Sequence, residues 1–375
     1  DGRGDPCDNN PGNQPIKLTP DKVLDLHVVG EQLTSSFGAF VGVPLNATAV
    51  SLNVTAVQPS DAGFITIWPC STSRPLTSNL NFVAGDIVPN GVIASIGSNG
   101  SVCFYSSQET DLIVDIAGWF EGSAFTGATP IRVTDTRQLP GRTGASNPIT
   151  LKVTELSVFD AAGSATNVPI DIGAVALNVT VVSPVSAGFI TVWPCDVTRP
   201  LSSNVNYVAG QVVANGVVAP VSADGTVCLF SQADTDIVVD LAGWFPVESF
   251  TGSTPTRLAD TRDGTGGKLG ALSSADELSV PVRNISLTAD GQSELVPVTA
   301  TAAALNVTVV NPTASGFITV WPCGLERPLA SNLNFVAGQV VANNVVAPIG
   351  NEGSVCVFSS APADVIVDIA GWFNS

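Results

Sequence analysis

The recurring charged residues are the first to weigh for chemistry. An aspartate stands in the closing apolar segment of three similar stretches, at Asp115, Asp240 and Asp368, and an arginine recurs just before a proline at Arg74, Arg199 and Arg327. A carboxylate inside a strand needs a partner if it is buried. These six residues are therefore expected to form one structural Arg–Asp pair per stretch. Two acids flanking a sugar linkage could hydrolyse it, but the available second acids, Asp111, Asp236 and Asp364, lie four residues away on the same segment. That is about 13 Å along a strand, too far for a retaining pair. The single histidine, His27, has Lys152 at its counterpart position and none in the third stretch. A Ser-His-Asp arrangement or a histidine metal site would have to exist in one stretch alone. The run Gly264–Gly270 lacks P-loop spacing and reads as a hairpin loop. No catalytic residue is assigned, and the expectation is that the protein is not an enzyme.

Cysteine spacing is more informative. Cys70 and Cys103, Cys195 and Cys228, and Cys323 and Cys356 are each 33 residues apart. Two cysteines without a histidine nearby cannot complete a tetrahedral zinc shell, so one disulfide per stretch is expected, each worth roughly 3–4 kcal/mol by chain entropy. Disulfides imply an exported protein, placed at a cell surface or beyond. Cys7 is left over, free to pair between subunits, bond to a partner or remain a thiol. Around it, Asp1, Asp5 and Asp8 offer hard oxygen ligands that would suit calcium. The segment weakly resembles the acidic, cysteine-containing calcium loops of thrombospondin type 3 repeats, without their denser aspartate pattern. Calcium is the one cofactor considered, and Arg3-Gly4-Asp5 is taken as a chance match to the integrin tripeptide.

Two tryptophan sets recur, Trp68, Trp193 and Trp321, and Trp119, Trp244 and Trp372. Exposed, they would stack on sugar rings. The first set sits beside the expected disulfides, where packing in a core is favoured. Asn53, Asn178 and Asn306 each open an N-x-Thr sequon, but inside apolar alternation they read better as a polar ladder across a sheet face.

Composition excludes whole classes of partner. The 375 residues carry 14 Lys+Arg against 32 Asp+Glu, a net charge of −18, with 45% hydrophobic residues. Too few cations are present for a nucleic-acid face, and an anionic membrane surface would repel the chain. Apolar runs such as Ile172–Val182 contain Asn178 and Thr180 and fall short of a membrane span. No charged segment followed by an apolar run opens the sequence, which reads as a form whose signal peptide has gone.

The elements that must position these residues are written three times. LNVTAVQPSDAGFITIWPC ends at Cys70, LNVTVVSPVSAGFITVWPC at Cys195 and LNVTVVNPTASGFITVWPC at Cys323; closing segments end at Phe120, Phe245 and Phe373. A period of about 125 matches a whole small domain and exceeds any propeller blade or solenoid turn. LNVTVV alternates with period two, and β-branched runs are separated by turn signals. The expected fold is all-β: three tandem antiparallel β-sandwich (or barrel-like) domains of about seven strands. The expected boundaries are an arm over 1–17 and domains over 18–122, 123–248 and 249–375, joined by stiff linkers that each contain a phenylalanine.

Repeats two and three open with TPIRVTDTR (Thr129–Arg137) and TPTRLADTR (Thr254–Arg262); repeat one does not. Its edge is then either shorter and capped by a loop, or completed by a strand from another chain.

The combination TPxRxxDTR, LNVTVxxPxxxGFITVWPC, SNxNxVAGQ, GxVCxFS and VDxAGWF resembles uncharacterised modules of secreted proteins from actinobacteria and related high-GC bacteria. The resemblance implies extracellular display or structural use and brings no reaction with it. The functional expectation is an exported structural protein of a bacterial surface, the subunit of a filament or coat. Domain three of one subunit would meet domain one of the next, head to tail, with the arm as connector. The alternative is a multivalent adhesin or carbohydrate-binding protein, its partner a surface glycan.

Overall fold

The computed structural model of the chain describes residues 17–34, 40–138, 143–146, 148–289 and 291–374. Strands dominate, and the sole helical element among those residues is a short turn at Thr136–Gln138. Each repeat folds into two larger antiparallel sheets, accompanied by a two-stranded hairpin. In module two the inner sheet runs Thr126–Asp135, Asp236–Pro246, Ile172–Val182, Val212–Pro220, and the outer sheet Ile149–Lys152, Thr226–Ser231, Gly188–Pro194, Val205–Tyr207. We call the four inner strands, in that order, the edge, closing, asparagine and axial strands. Module three repeats them as Phe250–Asp260, Asp364–Phe373, Ala302–Val310 and Val341–Pro348. Among the described residues module one has three: closing Asp111–Glu121, asparagine Ala47–Val57 and axial Ile87–Ser95.

Period-two alternation explains how each module fills its core. Leu177, Val179 and Val181 of the asparagine strand meet Ile190, Val192 and Leu229 of the outer sheet, and homologous cores occupy the other two modules. Each outer sheet carries its disulfide: Cys70–Cys103, Cys195–Cys228 and Cys323–Cys356. Beside each bond lies a buried tryptophan, Trp68, Trp193 or Trp321, whose indole N–H donates to the carbonyl of Thr72, Val197 or Leu325.

The arrangement of modules differs from the expectation. They are not sandwiches strung in tandem; six sheets, two per module, close into a propeller-like ring. Alternation again supplies the reason, because the asparagine strand is buried on both faces. Its second face, with Ala49, Ala174 and Ala304, builds a fourth core that belongs to no single module. There the last aromatics of the three closing strands form a triangle, with Phe120–Phe245, Phe245–Phe373 and Phe120–Phe373 centroids 5.3, 5.2 and 5.5 Å apart. The linker phenylalanines belong to this core too: Phe125 stands 4.7 Å from Phe245, and Phe250 4.9 Å from Phe373. Each such pair adds about 0.5–1.5 kcal/mol beyond burial.

Hydrogen bonds repeat the closure. The Asn178 amide donates to the Ser78 carbonyl of module one and accepts from Asn90 at 3.0 Å. Asn306 does the same with Ser203 and Asn215 of module two, and Asn53 with Ser331 and Asn343 of module three. The same axial asparagines accept the backbone N–H of Gly216, Asn344 and Gly91. The polar face foreseen for the sequon asparagines therefore exists, but its ladder runs between modules. Module three contacts module one as module one contacts module two, so the ring is shut within one chain.

At two of the three axial positions the strands meet without room for a side chain, whereas the third holds Asn344. A Cβ at Gly216 would overlap the Gly91 carbonyl, and one at Gly91 the Asn344 carbonyl. Gly216→Ala is expected to destabilise the protein by about 1–3 kcal/mol, as overpacking does. Gly118→Ala, where an added Cβ meets nothing within 4 Å, should leave the melt unchanged. Paired thermal melts check this; equal melting of the two variants would contradict the close axial contact.

Candidate functional site: the arginine–aspartate seams

The edge strands carry the densest polar chemistry of the ring. In module two Arg132 donates to both oxygens of Asp240, at 2.8 and 3.1 Å, and its other terminal nitrogen lies 3.5 Å from Asp135. Arg137 closes back on Asp135 at 2.8 Å. Module three repeats the cluster with Arg257 on Asp368 (2.9 Å) and Asp260 (2.8 Å), and Arg262 on Asp260. Register places Arg132 opposite Asp240 and Arg257 opposite Asp368, just beyond an irregular stretch that contains Pro130 or Pro255. Proline lacks the N–H a regular ladder needs, so it suits such an irregular edge.

These clusters also bridge modules. Arg132 reaches the Leu76 carbonyl of module one and Arg257 the Leu201 carbonyl of module two, each at 3.4 Å. The threonine of each Asp-Thr-Arg run serves the second recurrent acid: Thr136 donates to Asp236 and Thr261 to Asp364, while accepting from the backbone of Ile237 and Val365. Electrostatics follow the contacts. Arg137 and Arg262 hold the carboxyls of Asp135 and Asp260 below the ordinary carboxylate range. Burial pushes Asp240 and Asp368 upward, against the pull of Arg132 and Arg257.

The partners of the recurrent aspartates are thus not the expected ones. Arg74, Arg199 and Arg327 lie over the rings of Tyr105, Phe230 and Phe358, at 3.7, 3.6 and 3.6 Å from the centroids. Those rings stand on the outer sheet, whereas Asp115, Asp240 and Asp368 stand on the inner one. The Thr-Pro-x-Arg-x-x-Asp-Thr-Arg run was visible as a repeat, and its presence in two copies against three aspartates was the available signal.

Among the described residues, module one has the aspartate without the arginine. Asp115 makes no hydrogen bond or ion pair among the described residues, and burial alone raises its carboxyl to about 6. A carboxyl whose folded value exceeds its ordinary 3.8 binds its proton more tightly when folded. Its contribution to stability is full below that ordinary value and is lost as pH rises through about 6. Asp115→Asn should therefore raise the melting temperature near pH 8, with the gain shrinking to nothing near pH 4. Melts across that range check it; a gain independent of pH would contradict a desolvated carboxylate.

Concavities accompany the seams. A cleft of about 300 Å³ between modules one and two is lined by Phe64, Arg74, Leu76, Asn81, Arg132 and Arg137. Elsewhere His27 lies on an exposed outer strand, 3.3 Å from the Ser101 hydroxyl. The cluster of Asp25 with Cys70 and Cys103 has both sulfurs engaged in a disulfide. Trp244 and Trp372 are buried, and Trp119 is half-buried, donating to Glu121 at 3.0 Å. Asp1, Asp5, Cys7 and Asp8 lie outside the described residues. No helix among the described residues is long and apolar enough to cross a membrane.

No family model matches the chain, and no curated protein matches it. Among solved structures, it is similar to the N-terminal CBM22-1–CBM22-2 tandem domain of Paenibacillus barcinonensis Xyn10C at 14% identity, over 63% of this chain and 85% of that one, with a TM-score of 0.18. It is also similar to a triple jelly roll protein of an archaeal virus turret at 9% identity, over 94% and 84% of the two chains, with a TM-score of 0.20. Likenesses of that size carry no argument about function.

Proposed function

We propose that the protein is an exported structural protein of a bacterial surface, a rigid three-module ring that serves as the subunit of an extracellular coat or filament. One observation carries this reading: the cysteines, asparagines, closing phenylalanines and disulfide-side tryptophans repeated in every module hold the module or join it to the next. The cysteines cross-link the outer sheets, the asparagines and closing phenylalanines shut the ring, and the tryptophans beside the disulfides pack in cores. Three disulfides support an oxidising compartment, and the resemblance to secreted bacterial modules points the same way. No reaction is assigned to it.

Assembly in this reading joins copies of the chain, with calcium or Cys7 able to assist at the arm. The joint engages a surface other than module three on module one, since that contact is already made within the chain. A net charge of −18 opposes close packing, so the joint is apolar, disulfide-linked or cation-bridged. Electron microscopy of surface material from the native source is expected to show regular polymers that an antibody to this chain decorates. Recovery of the chain from the cytoplasm with six free thiols would overturn the reading.

A glycan-binding role is the second reading, favoured by the cleft between modules one and two, where Phe64 offers a half-exposed ring beside Arg74 and Asn81. Glycan arrays separate the two. Binding there should fall about tenfold in Arg74→Ala, which loses a charged hydrogen-bond donor, and an empty array leaves the structural reading alone.

A further inference from the structure

The closing strand of module one has an open side that its two counterparts lack. Asp236–Pro246 and Asp364–Phe373 are flanked by the edge strands Thr126–Asp135 and Phe250–Asp260, whereas Asp111–Glu121 pairs only with Ala47–Val57 among the described residues. Several independent features of that side match what an edge strand supplies elsewhere. Asp115 stands without the guanidinium that Arg132 and Arg257 bring to Asp240 and Asp368. An oxygen of Asp111 is buried with no hydrogen-bond partner, where Thr136 and Thr261 serve Asp236 and Asp364. Ile113 is 51% exposed, against 4% for Val238 and 6% for Ile366.

The aromatic core shows the same difference. A Cβ on Gly243 or Gly371 would strike the ring of Phe125 or Phe250, but one on Gly118 meets nothing within 4 Å. Phe125 fits between Phe120 and Phe245, and Phe250 between Phe245 and Phe373. No third ring stands between Phe373 and Phe120 among the described residues.

We propose that this open side is a docking site for an extended segment outside residues 1–375 bearing the pattern Phe-Thr-Gly-x-Thr-Pro-x-Arg-x-x-Asp-Thr-Arg, the edge strand of a further module of the same kind. The sister sheets fix the register. The segment's first threonine faces Trp119, its glycine faces Gly118, its first arginine faces Asp115 and its aspartate faces Ile113, as in the pairings of modules two and three. The phenylalanine packs over Gly118 against Phe120 and Phe373. The first arginine neutralises Asp115 and reaches toward the Leu329 carbonyl of module three, as Arg132 reaches Leu76. Backbone pairing supplies affinity, and the arginine and phenylalanine supply selectivity. Residues 1–16 contain neither the Thr-Pro-x-Arg nor the Asp-Thr-Arg run, and the two copies within residues 17–375 are already paired in modules two and three, so the donor is a segment outside residues 1–375. This inference does not depend on the coat reading, because an isolated receptor would use the same edge.

The test is a labelled peptide with the sequence of residues 124–137, titrated into the oxidised full-length protein and followed by fluorescence anisotropy. One peptide is expected to bind per chain. Arg132→Ala or Phe125→Ala in the peptide, and Asp115→Asn or Gly118→Val in the protein, should each weaken binding about tenfold or more. The free Gly118→Val protein should melt as the parent does, which ties its loss of binding to the docking groove. Absence of binding overturns the proposal, as does equal binding of a scrambled peptide or of the Arg132→Ala peptide. Binding that appears only after deletion of residues 1–16 also overturns it, because the chain's own segment would then be the occupant.

Discussion

A buried amide must be hydrogen-bonded, and in this protein the main partners of each recurrent asparagine lie in the preceding module around the ring. Their strands present these side chains to the far face, where Ser78, Ser203 and Ser331 of the neighbouring module accept from Asn178, Asn306 and Asn53 at 2.6–2.7 Å. Within their own strands Thr180 and Thr308 accept from Asn178 and Asn306 at the longer 3.4 and 3.3 Å. Leaving one such group unpaired costs about 1–3 kcal/mol. Three modules placed around an axis satisfy all of them together, and a fourth module would find no unpaired amide. Closure then permits the second common feature, the shared phenylalanine core, since the ring brings the three chain-closing aromatics within about 5–6 Å of one another, a favourable spacing for edge-on contact.

Symmetry has a cost where one copy lacks a part. Modules two and three enter the ring through an edge strand that lies across the preceding module, clamping the seam with an arginine that touches both sides. The seam between modules three and one lacks that clamp among the described residues, although the asparagine contacts there match the other two. The ring is therefore closed by identical polar contacts and reinforced unequally. Asp115 is the trace of that inequality: burial raises the aspartate in all three modules, but a guanidinium pairs with it only in modules two and three, at Asp240 and Asp368.

The same geometry bears on what the protein can join. A heterologous contact that closes makes a finite ring, and one that fails to close makes a fibre. Here the module-to-module contact closes within the chain, so the ring is a finite block, and growth beyond it needs a different surface. A net charge of −18 opposes close packing at that surface unless local complementarity offsets it.

Much of this was legible in the residues. Period-two alternation, three copies of one pattern and cysteines at one fixed spacing determined an all-β chain built of three similar units, because those signals are local and each depends only on its own strand. The asparagines were legible as a polar face, since Asn53, Asn178 and Asn306 break an otherwise apolar run. What that face meets was not, because alternation says which side chains share a side and nothing about which distant strand covers them. For the same reason Arg74 and Arg132 were indistinguishable as partners for the recurrent aspartates: both recur near prolines, and only the sheet register brings Arg132 opposite Asp240 while Arg74 settles on an aromatic ring. The tertiary structure alone decided that the modules close on themselves, because closure depends on angles between sheets that accumulate over hundreds of residues and leave no mark in any one of them.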